Sequence, residues 1–324
     1  MSVLGIGNAL VDIVTELKDD SLLKRFGLPK GSMTLVDSEL SNQINFDTVS
    51  LKKTKASGGS AANTIHGLAK LGVEAAFIGK TGKDDLGTFY QKDLDDAGVC
   101  TIMYHSLADT GKAMALISPD AERTFATYLG AAVELSEEDI SSKIVSGYDF
   151  FYIEGYLINN LPLFEKSLRL AKKAGMRTCL DLASYNIVEQ YKDKLLPEIK
   201  SYVDILFANE EEANALTGKS PEDALNEISS YCDITIIKTG PKGSMIRSEN
   251  NIHEIHANQV NVVDTTGAGD LYASGFLYGL SKNMPLTICG RIGTLLAGKV
   301  IENYGARIQD DVWPDILSSI ESLK

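Results

Sequence analysis

The chain has 324 residues, 44% hydrophobic and 23% charged, with 31 basic side chains against 44 acidic ones and a formal net charge of −13. That length suggests one large domain with a smaller appendage, and the composition is that of a folded globular protein rather than a disordered one. The acidic balance repels nucleic acid and anionic membrane surfaces at long range, which leaves a small molecule as the expected partner.

Residues 3–6 form a short apolar run that reads as a buried strand. The opening segment has no basic stretch, and Asp12 interrupts its apolar run, so no signal peptide is expected. No segment reaches the roughly 18 uninterrupted apolar residues of a membrane span. Similar strand-like runs recur at 75–78, 150–153, 178–180, 205–208 and 234–237, with helical patterns between most of them. Strands alternating with helices imply a mainly parallel sheet covered on both faces. Residues 14–54 and 99–129 break this rhythm with short extended stretches at 32–36, 113–118 and 124–128 and a Pro119-Asp120 turn signal. They are expected to form one small antiparallel sheet, a lid over a core built from residues 1–13, 55–98 and 130–324. The four cysteines, Cys100, Cys179, Cys232 and Cys289, are far apart and match no zinc or redox spacing, so free thiols in a reducing cytoplasm are expected.

The chemistry concentrates in residues 264–270, Asp-Thr-Thr-Gly-Ala-Gly-Asp, which run directly into a helical pattern at Ala273, Phe276, Leu277 and Leu280. A glycine-rich turn that opens a helix leaves backbone N–H groups, at Gly267, Ala268 and Gly269, free to hold an anion at the positive end of the helix dipole. Asp270 then stands in the first turn beside that anion. A carboxylate there orients an attacking hydroxyl and takes its proton; the dipole should keep it ionised and weakly basic, which a loose phosphoryl transfer tolerates.

The whole string resembles the signature of the ribokinase-like (PfkB) family of carbohydrate and nucleoside kinases. A second stretch, Ser57-Gly-Gly-Ser-Ala-Ala-Asn63 and on to Gly72, is similar to that family's N-terminal motif. The resemblance implies a ribokinase-like three-layer α/β core with a small β lid, and an ATP-dependent, Mg²⁺-dependent transfer to a sugar or nucleoside hydroxyl. It implies acceptor contacts at Gly58, Gly59 and Asn63, and at Asp12, whose two oxygens suit a vicinal diol. The Asn209-Glu-Glu-Glu212 stretch resembles the family's Asn-x-x-Glu motif, which places Mg²⁺ and phosphates mostly through water. Thr239 and Gly240 match the nucleotide stretch, and Ala297, Gly298 and Asn303 the adenine pocket. Asp264, Thr266 and Gly305 resemble the monovalent-cation loop of some relatives, which leaves potassium use open.

His66 reads equally as core or acceptor-facing. Arg123 reads as a lid residue reaching a substrate phosphate or as a solvated charge, and Tyr104, Phe125 and Tyr128 as lid aromatics. Within the family the strings 7–13, Ala61-Ala62-Asn63 and 153–156 look closer to adenosine kinases, so adenosine is the first expectation and a ribose- or fructose-type sugar the second. Three other classes remain: a non-catalytic nucleoside-binding regulator, a purely structural protein, which would leave the stacked site motifs unexplained, and a dinucleotide enzyme suggested by Gly5-Ile-Gly7, which fails where a third glycine is needed because position 10 is Leu10. A monomer and a homodimer are equally compatible with the sequence.

Overall fold

A computed structural model describes residues 1–120 and 122–323. The large sheet uses β1 (Ser2–Ile6), β5 (Glu74–Gly82), β6 (Val99–Ser106), β9 (Phe150–Glu154), β10 (Arg177–Asp181), β11 (Ile205–Asn209), β12 (Ile234–Lys238), β13 (Ser244–Ser248) and β14 (Asn251–Ile255), in the order β14-β13-β12-β11-β10-β9-β1-β5-β6. All neighbours from β12 to β6 are parallel, and β13 and β14 add an antiparallel hairpin.

Central strands are apolar at successive positions because both faces are covered. Val3, Phe77, Tyr152, Cys179, Phe207 and Ile236 point into one core layer. Leu4, Ile78, Phe151, Leu180, Leu206 and Ile237 point into the other. The helices are α1 (Ser21–Arg25), α2 (Ser38–Asp47), α3 (Ser60–Lys70), α4 (Asp85–Asp96), α5 (Leu161–Lys173), α6 (Tyr185–Tyr202), α7 (Glu210–Thr217), α8 (Pro221–Ile228), α9 (Ala268–Ser281), α10 (Leu286–Val300) and α11 (Trp313–Ser322). Of these, α3, α4, α9, α10 and α11 cover the first face, and α5 to α8 the second.

A second sheet runs β3 (Met33–Leu35), β8 (Arg123–Tyr128), β7 (Gly111–Ile117), β2 (Leu10–Glu16), β4 (Lys53–Gly58). It is mixed rather than antiparallel, since β2–β7 and β3–β8 are parallel pairs. Its boundaries also differ from the expected 14–54 and 99–129, segments in which position 121 lies outside the described residues, as does 324 in the expected core. The first segment starts at Leu10 and runs to Gly58, so it carries Asp12. Val99–Ser106 pairs with β5 instead and forms the edge of the large sheet, because its register with a buried parallel neighbour satisfies its backbone there. Tyr104 is therefore a large-sheet residue whose hydroxyl donates to the Asp139 carbonyl, not a lid aromatic.

Cross-strand partners share a face. Asp12 pairs with Ala113, Val14 with Ala115 and Glu16 with Ile117, and the last two partners pair onward with Phe125 and Arg123. Asp12, Val14, Phe125 and Arg123 thus share one face of the small sheet. Val14 brings that face to the Gly305 turn, where a β-carbon on the glycine would stand 3.9 Å from Val14 Cγ2.

The junction between β4 and α3 depends on one glycine. Gly59 caps α3 at φ +95°, and a β-carbon there would lie 2.1 Å from the Asn8 carbonyl oxygen. Gly59→Ala combines a disfavoured backbone with a clash against main chain, and is expected to destabilise the fold by about 2 kcal/mol or more, read as a lowered urea midpoint.

Candidate active site

Five strands of the large sheet end in polar or charged residues at one edge. Asn8 lies just after β1, Glu154 ends β9, Asp181 ends β10, Asn209 ends β11 and Lys238 ends β12. Ligands of open α/β sheets bind at this carboxyl edge.

Helices α3 and α9 both start there. Ser60 Oγ donates to Asp270 Oδ1 at 2.7 Å, Thr64 Oγ1 to the Asp270 carbonyl at 3.1 Å, and Ser274 Oγ to the Thr64 carbonyl at 2.7 Å. The contacts advance along both helices in the same direction, so the helices run parallel and their positive ends lie side by side. Close approach requires Gly67, where a β-carbon would stand 2.5 Å from Ser274 Oγ. Asn63 Nδ2 donates to Asp270 Oδ2 at 2.9 Å, while Asn63 Oδ1 is buried without a partner among the described residues. Both oxygens of Asp270 are thereby aimed from α3.

Burial pushes Asp270 up to about 6, against the lowering effect of its hydrogen bonds from Asn63 and Ser60. The helix dipole had suggested a weaker base; loss of hydration outweighs it. Asp12 is pushed up to about 7, chiefly by burial, with Arg307 opposing and Asp270 and Asp264 adding to the rise. If Asp270 takes a proton and Asp12 accepts hydrogen bonds, both must be ionised. kcat/KM is then expected to climb with pH through about 6 to 7 and level off above; a profile flat from about pH 5 to 8 contradicts those roles.

The turn before α9 differs in detail from expectation. Gly267 adopts φ +76° and packs on Ala306, which a β-carbon would meet at 2.6 Å. Ala268 N–H is not free: it donates to the Thr265 carbonyl at 3.2 Å, because the turn closes on itself. Gly267 and Gly269 keep N–H groups with no partner among the described residues. A β-carbon on Gly269 would stand 3.0 Å from Lys238 Nζ, so an ammonium lies beside the exposed amides.

Lys238 Nζ donates to Asp181 Oδ2 at 2.8 Å, and both side chains are largely buried. Burial alone would lower the lysine's pKa; Asp181 and Glu212 hold it above its usual range, so it is a fixed cation. Asn209 and Glu212 form a reciprocal cap on α7: Glu212 accepts from Asn209 N–H and from Nδ2, each at 2.8 Å, and Asn209 Oδ1 accepts from Glu212 N–H at 2.8 Å. Glu212 is pushed up to about 7, mainly by burial. Its oxygens are already engaged, so it suits a hydrated cation rather than direct ligation. Among the described residues no group of three His, Cys, Asp or Glu side chains is placed to hold a metal.

On the other side of Asp270, Asp12 lies flat on Gly58, where a β-carbon would meet its Cγ at 2.3 Å. The Asp12 carboxylate accepts no hydrogen bond among the described residues. Asp12 and the Asn8 carbonyl fill the space that side chains at Gly58 and Gly59 would take. Tyr90 supports Gly58 by donating to its carbonyl at 3.1 Å, and Arg307 Nη2 donates to the Ser57 carbonyl and to Ser57 Oγ. His66 is buried in α3, and burial first, then Arg307, holds its pKa well below the usual value, so it is a neutral core residue. Glu154 ties the site's walls together, accepting from Asn8 N–H, Asn8 Nδ2 and Ala61 N–H at 2.8–2.9 Å.

Thr239 and Gly240 follow β12 directly beside Lys238. Ala297 and Gly298 lie in the last turn of α10 and Asn303 just past it; between them the Ile301 carbonyl accepts from Val263 and Asp264 N–H, and a β-carbon on Gly298 would reach Val260 at 3.4 Å. These groups therefore flank the 264–269 turn. Asn303 N–H donates to the Val300 carbonyl at 3.3 Å, and its Oδ1 accepts from Gln309 Nε2 at 3.4 Å. Asp264, almost fully buried, accepts from Thr266 N–H at 2.6 Å and from Gly305 N–H at 2.8 Å. Arg123, whose side chain is 21% exposed, completes this cluster by bonding Asp264 Oδ1 and Thr266 Oγ1, so it is held rather than free.

Sequence reasoning overlooked Asp181, Lys238, Glu154, Ser60 and Arg307. The first three had a signal: each is a charge at the end of a buried strand, where nothing but a site or a partner justifies its cost.

The profile of pfkB family carbohydrate kinases matches residues 45–312. The chain belongs to that family: it is a nucleoside or sugar kinase, a phosphotransferase that uses ATP and acts on a hydroxyl of a small molecule. Its fold is similar to a probable sugar kinase from Rhizobium etli, with 34% identity, TM-score 0.88 and coverage of 100% of this chain and 99% of the other. It is equally similar to an adenosine kinase from Sinorhizobium meliloti, with 34% identity, TM-score 0.87 and the same coverages. Among curated proteins, a nucleoside kinase from Methanocaldococcus jannaschii is 29% identical over 82% of this chain and 85% of its own. No helix among the described residues is long and apolar enough to cross a membrane.

Proposed function

We propose that this chain is a nucleoside kinase that transfers the γ-phosphoryl group of ATP to a primary hydroxyl, with adenosine as the favoured acceptor and AMP and ADP as products. The observation that carries the reading is Asp270, aimed by Ser60 and Asn63 at the meeting point of two parallel helix N-termini. The acceptor lies along the Asp12 face of the small sheet, its diol hydrogen-bonded by Asp12, with Gly58, Gly59 and Asn63 shaping the pocket. Asp270 orients the primary hydroxyl and accepts its proton. The hydroxyl oxygen bonds to the γ-phosphorus, the bridging bond to the β-phosphate breaks, and ADP leaves. Gly267 and Gly269 N–H groups with Lys238 hold the migrating group, while Thr239, Gly240, Ala297, Gly298 and Asn303 bed the nucleotide. Mg²⁺ supplies charge neutralisation on the phosphates; Glu212 and Asn209 would hold it through water.

The small sheet closes over the acceptor and excludes water that would otherwise hydrolyse ATP. The enzyme works in the cytoplasm on a small molecule, as a monomer or homodimer, without nucleic acid. Adenosine is preferred to a sugar on the resemblance of residues 7–13 and 153–156 and the likeness to the Sinorhizobium enzyme.

The test supplies Mg-ATP with adenosine, guanosine, inosine, ribose and fructose in turn and follows ADP release. Adenosine is expected to turn over fastest. Activity with a sugar alone removes the nucleoside reading but keeps the mechanism. Tight nucleoside binding with no turnover replaces it with a regulator.

A further inference from the structure

Asp264 poses an electrostatic problem. Its carboxylate is almost fully buried, it stands three residues before Gly267 and five before Gly269, whose amides are exposed, and its charge is felt as far as Asp12. An uncompensated buried anion at this place is costly in itself and repels any phosphate brought to the turn. Two backbone donors, Thr266 N–H and Gly305 N–H, engage it, but they bring no net positive charge. The only ion pair to Asp264 among the described residues comes from the other sheet. Arg123, on β8, places Nη1 on Asp264 Oδ1 and on Thr266 Oγ1. Phe125 backs its guanidinium, whose carbon lies 5.9 Å from the ring centroid, and Val14 on the same face meets the Gly305 turn.

We infer that Arg123 is a positioning residue: its guanidinium is a built-in cation for the Asp264–Thr266–Gly305 turn, standing in for a diffusible monovalent ion and making the ordering of the anion-holding turn depend on closure of the small sheet. The potassium requirement left open by the sequence is then absent in this chain. When the small sheet lifts away, Asp264 loses its counter-charge and the turn loses two bonds from Arg123, so a phosphate is held well only when the acceptor side is closed. That couples the two halves of the site through one side chain.

The inference rests on the kinase reading for its activity arm but not for its stability arm, so the two can fail separately. Wild type, Arg123→Met and Arg123→Lys are compared in potassium, in bulky tetramethylammonium and in low guanidinium, all at one ionic strength, by melting temperature and by ADP release. Wild type is expected to be the same in potassium and tetramethylammonium to within about twofold. Arg123→Met is expected to melt lower and lose activity by about tenfold or more in tetramethylammonium, with both restored in part by ~50 mM potassium or guanidinium. Arg123→Lys, which keeps the charge, should stay insensitive to the salt. A wild type that needs potassium overturns the inference. So does an Arg123→Met protein that neither loses nor regains anything with the cation. Should Arg123→Met not fold, Arg123→Gln is compared alone and combined with Asp264→Asn: the single variant should regain melting temperature with potassium and the double variant should not, and a single variant without that response, or a double variant that keeps it, refutes the assignment. If no acceptor is phosphorylated at all, the kinase reading fails while the melting temperatures still test the built-in cation.

Discussion

Replacing Asp270 by asparagine is expected to lower kcat by ~10²-fold or more while leaving the affinities for nucleotide and acceptor within a few-fold of wild type. The amide keeps the size of the carboxylate and one acceptor oxygen, so hydrogen bonding from Ser60 or Asn63 persists and the two helices stay in register. What disappears is the group that takes the hydroxyl proton, and with it the part of the pH profile that Asp270 contributes near its raised value of about 6. Steady-state kinetics over a pH series, paired with direct binding, separates the cases. A defect confined to KM contradicts the assigned role.

Lys238→Met should be the most damaging single change to stability in the site, costing about 3–5 kcal/mol. The cost arises less from the lost bond than from what remains: Asp181, 5% exposed, and Glu212 would face each other without the ammonium that holds them. Pairing Lys238→Met with Asp181→Asn removes one of the stranded charges, so the double variant should be more stable than Lys238→Met alone. Urea unfolding of the four proteins of that cycle measures the difference. Strictly additive losses would mean that the pair is not coupled. Catalysis should fall in all three variants, since Lys238 Nζ also stands beside Gly269.

Much of this site was legible before any coordinates. The Asp-Thr-Thr-Gly-Ala-Gly-Asp string marks a turn opening a helix because its glycines and following periodicity are local properties, and Asp270 duly sits in the first turn of α9. The apolar runs located the central strands because a parallel sheet buried on both faces has no use for alternation. The failures share a cause, which is dependence on partners distant in sequence. Val99–Ser106 carries no mark that sends it to the large sheet rather than the small one; only pairing with β5 decides. The groups that exclude a side chain at Gly58 and Gly59, the Asp12 carboxylate and the Asn8 carbonyl, come from another strand and its approach loop. Arg123 and Asp264 lie 141 positions apart, and no periodicity connects them. The basicity of Asp270 was underestimated because burial is a property of the assembled fold.

The most direct test of the account is stereochemical. ATP made chiral at the γ-phosphorus with oxygen isotopes is turned over with the acceptor found active, and the configuration of the phosphate ester is determined. A single in-line displacement, with Asp270 only positioning and deprotonating the hydroxyl, predicts inversion. Retention would mean two displacements through a phosphorylated side chain, and would contradict the role given to Asp270 and to the paired helix ends around it.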